Sequence, residues 1–305
     1  MCRKCAAILF VKSTRVIIAS LLLVSAVAEA AVVVHNSGVT TYSQNFGNGS
    51  SITVTGGEAT FVSKINRSSG ISIEGGIASF TNLIDRSATI SIAGGDATFA
   101  GTVGRESEIS VTGGIAIFTG TIERNPTFNL SGGITELATV GNDPIFNLSG
   151  NAQLNLTGTV GRNVSFDIRD AAQLTISAPN MFSSISELIA VGGSIDSNGY
   201  DFSVDETVVS GLTVFDLGGG SNAVDLGTIS GGGQLIFTNY NQDTEIYFDA
   251  FGTFDPGTQL IFDGSSSLVF DTYITPVPEP AVATLVMLLA SGGFVYVRRR
   301  QQKKK

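Results

Sequence analysis

A pair of glycines recurs at a constant interval through the middle of this chain, and this spacing constrains the fold more than any other feature. The pairs stand at 56/57, 75/76, 94/95, 113/114 and 132/133. The units that contain them, together with more degenerate units that follow, begin at positions 52, 71, 90, 109, 128, 146 and 166. A short, constant period of this kind is typical of architectures in which each repeat packs on its neighbours.

Within each unit, apolar and polar residues alternate, which indicates short β-strands with one face turned inward. Three such strands in one unit are too few for an independent sheet. Each unit is therefore predicted to form one coil of a parallel β-solenoid (β-helix). Equivalent positions should then stack into inward columns. These columns are Ile52, Ile71, Ile90, Ile109, Phe128 and Phe146, then Phe61, Phe80, Phe99 and Phe118, then Ile65, Ile84, Val103 and Ile122.

The composition agrees with an all-β fold, because the chain has 37 glycines and only 14% charged residues. A β-sandwich is the competing fold, but the constant register over four steps favours the solenoid. We predict a cap at 31–51, the regular solenoid at 52–176, and irregular coils or a β cap at 177–275. The stretch "NAVDLGTISGGGQLIF" in this last part resembles repeats of autotransporter passenger domains, which are parallel β-helices.

The N-terminal segment, 1–30, follows the three-part pattern of a secretory signal peptide. A cationic segment and a short apolar run precede Ala28 and Ala30, which have the small-x-small spacing of a cleavage site. An uncleaved anchor is the alternative, although the apolar run is short for a membrane span. Cleavage after Ala30 would remove Cys2 and Cys5 and leave the mature chain without cysteine.

Removing both predicted targeting segments leaves a strongly acidic body. Residues 31–276 contain seven basic and 24 acidic side chains, a net charge of −17. Nucleic acid is therefore not an expected partner, since phosphate contacts need a cationic face. Cation binding and a self-repelling soluble surface are both compatible with this charge.

Most of the few basic residues follow the repeat. In a solenoid, the arginines that recur once in each unit would form one exposed column, which Arg162 extends two periods later. One interpretation is contact with an anionic polymer, and the other is a solvated column of turns whose charge nearby acids offset. The four regularly spaced arginines are Arg67, Arg86, Arg105 and Arg124.

Other candidate sites are weaker. Glu58 and Asp96 share a position in the repeat but are two coils apart, which is a poor arrangement for paired-carboxylate catalysis. Asp216 and Asp225, with Asn222, loosely resemble a calcium repeat that does not recur. The outward Thr and Ser positions suit an ice-binding face, but other residues interrupt them. The single histidine, His35, is expected in a mobile terminus. Because none of these candidates forms a convincing site, we predict no catalytic residue, metal or cofactor and do not expect an enzyme.

The C-terminus carries the most specific resemblance. Pro278, Glu279 and Pro280 precede an uncharged run at 281–297, predicted to be a single transmembrane helix, and a basic cluster follows. The stretch "VPEPAVATLVMLLASGGFVYVRRR" resembles the PEP-CTERM sorting signal, with Arg298, Arg299 and Arg300 as the membrane stop. The same tail is also described as an ice-binding-protein C-terminal domain, a label that implies no ice binding by the body.

The resemblance implies an exported protein whose tail, 276–305, is read and processed by an exosortase-type membrane enzyme. It implies transient or permanent anchoring by the C-terminal helix, and a final place in the envelope, cell surface or extracellular matrix of a Gram-negative-type bacterium. Extracellular polysaccharide and biofilm are the implied context. We therefore expect a structural or adhesive surface module. The alternative is a β-helix that binds or cleaves polysaccharide, with its site on an acidic groove of residues 166–276.

Overall fold

The computed structural model describes residues 29–179, 181–182, 184–219, 223–241, 244–247 and 259–262. These residues form a parallel β-solenoid of about eleven turns with no helix, so the predicted all-β solenoid fold is confirmed. At ~4.8 Å for each coil, the stack is roughly 50 Å long. Residues 1–28, with Ala28, and the whole tail at 276–305 lie outside the described part of the chain.

One parallel sheet forms the first face of the solenoid. Its strands are joined in the order β1 (Val32–His35), β3 (Ser51–Val54), β5 (Gly70–Ile73), β7 (Thr89–Ile92), β9 (Glu108–Val111), β11 (Thr127–Leu130), β13 (Ile145–Leu148), β15 (Val164–Ile168), β17 (Ile185–Ala190), β19 (Phe202–Val209), β21 (Ala223–Asp225) and β24 (Glu245–Tyr247), while β22 (Thr228–Ser230) also pairs with β19.

A second parallel sheet forms the opposite face. It contains β2 (Val39–Tyr42), β4 (Glu58–Phe61), β6 (Ile77–Phe80), β8 (Asp96–Phe99), β10 (Ile115–Ile122), β12 (Ile134–Val140), β14 (Gln153–Val160), β16 (Gln173–Ile176), β18 (Ser194–Asp196), β20 (Leu212–Asp216), β23 (Gln234–Thr238) and β25 (Gln259–Phe262). A narrow third strip of bridges closes the early coils, linking Phe46, Ile65, Ile84, Val103 and Ile122 in turn.

The repeat seen in the sequence is the pairing register of the strands. Ile52 pairs with Ile71, and the same column continues through Ile90, Ile109 and Phe128. The stack also begins one coil before the first repeat, because β1 pairs with β3 and β2 with β4. Residues 31–51, which were predicted to cap the solenoid, therefore contain a coil in register with the others.

The core consists of stacked side chains that are almost fully buried. In the second sheet, the rings of Phe61, Phe80, Phe99 and Phe118 stack with centroids 4.4–4.8 Å apart. The aromatic column then changes sheets: Leu137 follows Phe118, while Phe128 follows Ile109 in the first sheet. From the coil of Ile52 to the coil of Phe166, one phenyl ring is thus paired with one aliphatic side chain, which keeps the core volume nearly constant over this part of the rod.

The Gly-Gly corners are places where successive coils come into close contact. The second glycine of each pair has a positive φ, as at Gly95 with φ +69°. A Cβ added at the first glycine, for example Gly94, would lie 2.8 Å from the carbonyl oxygen of Glu74 in the preceding coil. Both the backbone conformation and the stacking distance therefore require glycine here.

No helix among the described residues has the length and apolarity needed to span a membrane. The predicted helix at 281–297, with its flanking motifs, lies outside those residues. The coils themselves continue past the regular repeats, through β17 to β25, with longer and less constant spacing.

Candidate functional site

Five arginines lie along one corner of the solenoid, where the third strip turns into the first sheet. Each stands two positions after an inward residue of that strip, so that Arg67 follows Ile65 and Arg86 follows Ile84. We call this column, together with Lys64, the arginine edge. Its arginines are Arg67, Arg86, Arg105, Arg124 and Arg162, with Asn142 in the coil between the last two. Six of the seven basic residues of 31–276 thus lie on one edge.

The backbone fixes the spacing of these arginines. The carbonyl oxygen of each accepts a hydrogen bond from an N–H of the preceding coil, as from Ser68 to Arg86 at 3.1 Å and from Ser87 to Arg105 at 2.9 Å. The residue after each arginine takes a left-handed conformation, for example φ +56° at Ser68 and +60° at Glu106. The edge is therefore a regular corner, and the side chains project from it once in every coil.

The carboxylates on this corner bind protein donors. Asp85 accepts a hydrogen bond from the backbone N–H of Arg86 at 2.8 Å, and its other oxygen lies 3.0 Å from the Lys64 ammonium. The Arg86 N–H, and after it the Lys64 side chain, hold the pKa of Asp85 below its ordinary value. Glu123 accepts from the backbone N–H of Arg105 at 3.2 Å.

Two further carboxylates on this corner also accept hydrogen bonds from protein donors. Glu106 accepts from the Ser87 hydroxyl at 3.4 Å, and Asp143 from the Asn163 side-chain amide at 2.8 Å. By contrast, none of the five guanidinium groups of the arginine edge forms an ion pair or a hydrogen bond with another described residue. The acids thus stabilise the corner, while the arginine side chains are left for solvent or a ligand.

The acidic half of the rod contains a shallow cavity of about 430 Å³ at a different corner. It is lined by Asp196 and Asp216, whose strands pair, and by nearby Asn and Gly residues. Both carboxylates close local turns: Asp196 accepts from the Asn198 N–H at 2.8 Å, and Asp216 from the Gly218 N–H at 2.9 Å. The second oxygen of Asp216 accepts from the Asn239 amide at 2.7 Å. These oxygens thus have a structural role as acceptors within the fold.

The structure does not bring the predicted carboxylate pair together. Glu58 and Asp96 each open a strand of the second sheet, and Ile77 stands between them in the same exposed column. Asp225 accepts from the Gly227 N–H at 3.0 Å, while Asn222 of the same loose motif lies outside the described residues. No cluster of three or more metal-ligating side chains is found in the described ranges.

The expectation that His35 lies in a mobile terminus is wrong. His35 ends β1, is 4% exposed, and occupies the inward column that continues with Val54 and Ile73. Its Nδ1 lies 3.3 Å from the hydroxyl of Tyr42, which starts the column of stacked phenyl rings. The first coil thus places two polar-tipped side chains where later coils have aliphatic and phenyl groups.

Three features of the described structure were not predicted from the sequence. The left-handed residue after each arginine was not predicted, although Asn125 and Asn163 belong to a residue type enriched in that conformation. Asp196 and Asp216 were not predicted to lie together, although each begins a turn in which Asn or Gly stands two residues later. His35 was placed wrongly because the register was not extended by one period before position 52.

Of the predicted targeting residues, Ala30 is described and lies exposed just before β1. Ala28, Pro278, Glu279, Pro280, Arg298, Arg299 and Arg300 lie outside the described residues. Comparison of the chain with known protein families, with curated proteins and with solved structures found no match.

Proposed function

We propose that this chain is an exported structural or adhesive module of a bacterial envelope or extracellular matrix, sorted by its C-terminal tail. The observation that carries this proposal is the continuous stack of coils, which starts at Val32, directly after the predicted cleavage site at Ala30. A rod of this kind presents the same polar columns repeatedly over its length. Repetition of weak contacts along a rigid surface is an effective basis for adhesion.

The outer face of the first sheet supports this role. Its outward column is formed by small polar side chains in register, Thr53, Ser72, Ser91, Ser110, Asn129 and Asn147. Asn147 donates to the Asn129 side-chain oxygen at 2.9 Å, so that part of the column is a ladder of hydrogen bonds. A repeating surface of mostly small polar side chains suits a scaffold that packs against other extended polymers.

The sorting step rests on the resemblance of the tail to a PEP-CTERM signal. An exosortase-type enzyme would recognise Pro278, Glu279 and Pro280, while the helix at 281–297 and Arg298–Arg300 hold the chain in the membrane. Intact mass of the protein from cells with and without such an enzyme tests this step. We expect a chain that starts at Ala31 and lacks Lys305 in normal cells, and one that keeps Lys305 in cells without the enzyme.

A second candidate is binding or cleavage of polysaccharide at the acidic cavity, favoured by the neighbouring carboxylates of Asp196 and Asp216. Against cleavage, the two oxygens of Asp216 accept hydrogen bonds from Gly218 and Asn239, so this carboxylate already has a structural role at its turn. A polysaccharide-cleavage assay separates the two functions. Release of shorter products that stops in an Asp216→Asn variant would overturn the structural role.

A further inference from the structure

We propose that the arginine edge binds a linear acidic polysaccharide, with one guanidinium for each coil along the coils of Arg67, Arg86, Arg105 and Arg124. This inference rests on the proposed function as a surface module, and it names acidic polysaccharide as the polymer that the module binds. It can be measured on the purified chain, so its failure is distinguishable from a failure of export or sorting.

The spacing of the edge matches an extended ligand. Four successive coils each carry one arginine, and coils are ~4.8 Å apart, so the backbone positions of Arg67 and Arg124 are separated by roughly 14 Å. The hydrogen bonds that the arginine carbonyls accept hold this spacing without using the side chains. A ligand that lies along the rod axis would therefore meet a new guanidinium at each step.

Among the described residues, the acids of the edge form no ion pair with its guanidiniums, although the Arg67 charge helps to lower the pKa of Asp85. Asp85 and Glu123 accept backbone N–H groups, and Glu106 accepts a hydroxyl, so these acids are committed to the corner. Arginines repeated at steps of ~4.8 Å repel one another, and a charge partner beyond the neighbouring acids would relieve this repulsion. A polyanion would supply that partner, because guanidinium groups bind carboxylates through two parallel hydrogen bonds.

The side chains beside the arginines suit a sugar polymer. The left-handed residues Ser68, Ser87 and Asn125 are exposed next to the guanidiniums and offer hydroxyl and amide groups. Such groups exchange hydrogen bonds readily with sugar hydroxyls. The corner thus offers both charge and neutral polar contacts in the coils of Arg67, Arg86 and Arg124, while Glu106 takes the equivalent position beside Arg105.

Nucleic acid fits this edge less well. Along a duplex, each strand carries a phosphate about every 3.4 Å of helix axis, which does not match one cation in every ~4.8 Å. Binding of single strands also relies on exposed aromatic rings. Here the rings of Phe80, Phe99 and Phe118 are buried in the core, and the chain has no Trp. The remaining body, with its large negative charge, would also repel phosphates, whereas a sugar acid has a lower charge density.

The test is binding of the full chain, in non-ionic detergent, to immobilised alginate, with neutral dextran and poly(dT) as comparison surfaces. We expect binding to alginate that weakens steeply with salt, little binding to dextran, and weaker binding to poly(dT). A variant with all four arginines of the edge changed to Gln should lose at least tenfold in affinity. Arg169→Gln is the control: it removes one positive charge away from the edge, one that is paired with Asp167 at 2.7 Å, and should change affinity less than Arg105→Gln.

A variant that binds alginate more tightly is also informative, because a folding defect would weaken binding and could not explain the gain. Asn142 occupies the edge position between Arg124 and Arg162, and its carbonyl accepts the same hydrogen bond, from Asn125 at 2.8 Å. Asn142→Arg should complete the column and tighten binding to alginate about threefold or more. Unchanged binding in the four-site variant, an equal effect of Arg105→Gln and Arg169→Gln, or tighter binding to poly(dT) than to alginate would each overturn the inference.

Discussion

The phenyl rings of Phe80 and Phe99 lie parallel, with centroids 4.8 Å apart and an interplanar angle of 4°. Each ring is 1% exposed and has a similar ring on both sides, so the column is a continuous apolar contact through successive coils. Because coils interact only with their neighbours, a gap in the column weakens both interfaces of the affected coil.

We therefore expect Phe99→Ala to lower the free energy of unfolding by about 3–5 kcal/mol. Chemical denaturation followed by circular dichroism measures the effect. Ile77→Ala is the control, because Ile77 is 50% exposed on the outer face and its truncation should cost much less. Equal losses in the two variants would contradict a stabilising role for the stacked rings.

Two glycines of the regular coils should respond very differently to the same change. At Gly95, φ is +69° and an added Cβ would collide with the backbone of Gly75 and Gly76. At Gly70, φ is ordinary and no atom lies within 4 Å of the added Cβ. Gly95→Ala is expected to lower the free energy of unfolding by about 2 kcal/mol or more, and Gly70→Ala to leave it nearly unchanged.

Thermal unfolding of the two alanine variants checks this contrast. A comparable fall in the midpoint for both would show that the loss comes from glycine itself and not from the stacked corner.

Sequence periodicity was sufficient to predict the fold because the pairing of strands and the repeat of residues are the same relationship in a solenoid. It left open whether irregular coils or a β cap follow residue 176, since later coils change their spacing while keeping their pairing. Ser165 pairs with Glu187, and Gln234 pairs with Gln259, and both steps are longer than the step from Ile52 to Ile71. Insertions at corners hide the period but leave the inward alternation intact, and alternation is what parallel pairing needs.

The arginine column was predictable for the same reason, but its electrostatics were not. Asp85 and Glu123 each come directly before an arginine, whereas Glu106 directly follows one. Only the folded corner shows that Asp85 and Glu123 accept backbone N–H groups of neighbouring residues or coils. Counting charges along the chain suggested that these acids offset the arginines. The geometry shows their oxygens bound to other donors, with Arg67 acting on Asp85 through its charge and without a direct contact.

Asp85 should give the fold a pH-dependent contribution. Its pKa is lowered in the folded state, first by the Arg86 N–H and then by Lys64, so the charged carboxylate stabilises the native corner. That contribution is complete above the ordinary aspartate pKa, near 4, and is lost as the pH falls through the lower folded value. We expect Asp85→Asn to lower stability by less than about 1 kcal/mol at neutral pH, since the group is partly exposed.

The difference between the native chain and Asp85→Asn should then disappear in strong acid. Unfolding midpoints measured from neutral pH to below pH 3 follow this change, with Glu58→Gln as a control for loss of an exposed negative charge. A difference that persists unchanged in acid would contradict the role of the ionised carboxylate.

His35 and Tyr42 form a polar pair in the first coil, and one substitution in each should change the free energy of unfolding in opposite directions. The Nε2 of His35 is buried and has no hydrogen-bond partner among the described residues, while Nδ1 contacts the Tyr42 hydroxyl. A buried polar atom without a partner costs about 1–3 kcal/mol. His35→Ile should therefore raise the free energy of unfolding by about 1 kcal/mol, because Ile fits the column that continues with Ile73 and the half-buried Tyr42 hydroxyl can bind water.

Tyr42→Phe should lower the free energy of unfolding, because it removes the hydroxyl that contacts Nδ1. Both ring nitrogens of His35 are then without a hydrogen-bond partner among the described residues. Denaturant titrations of the two single variants and of the double variant measure the coupling. In the double variant the loss caused by Tyr42→Phe should vanish, since no imidazole remains to be satisfied. A fall in stability for His35→Ile would show that the imidazole stabilises the end of the stack by a contact other than the one to Tyr42.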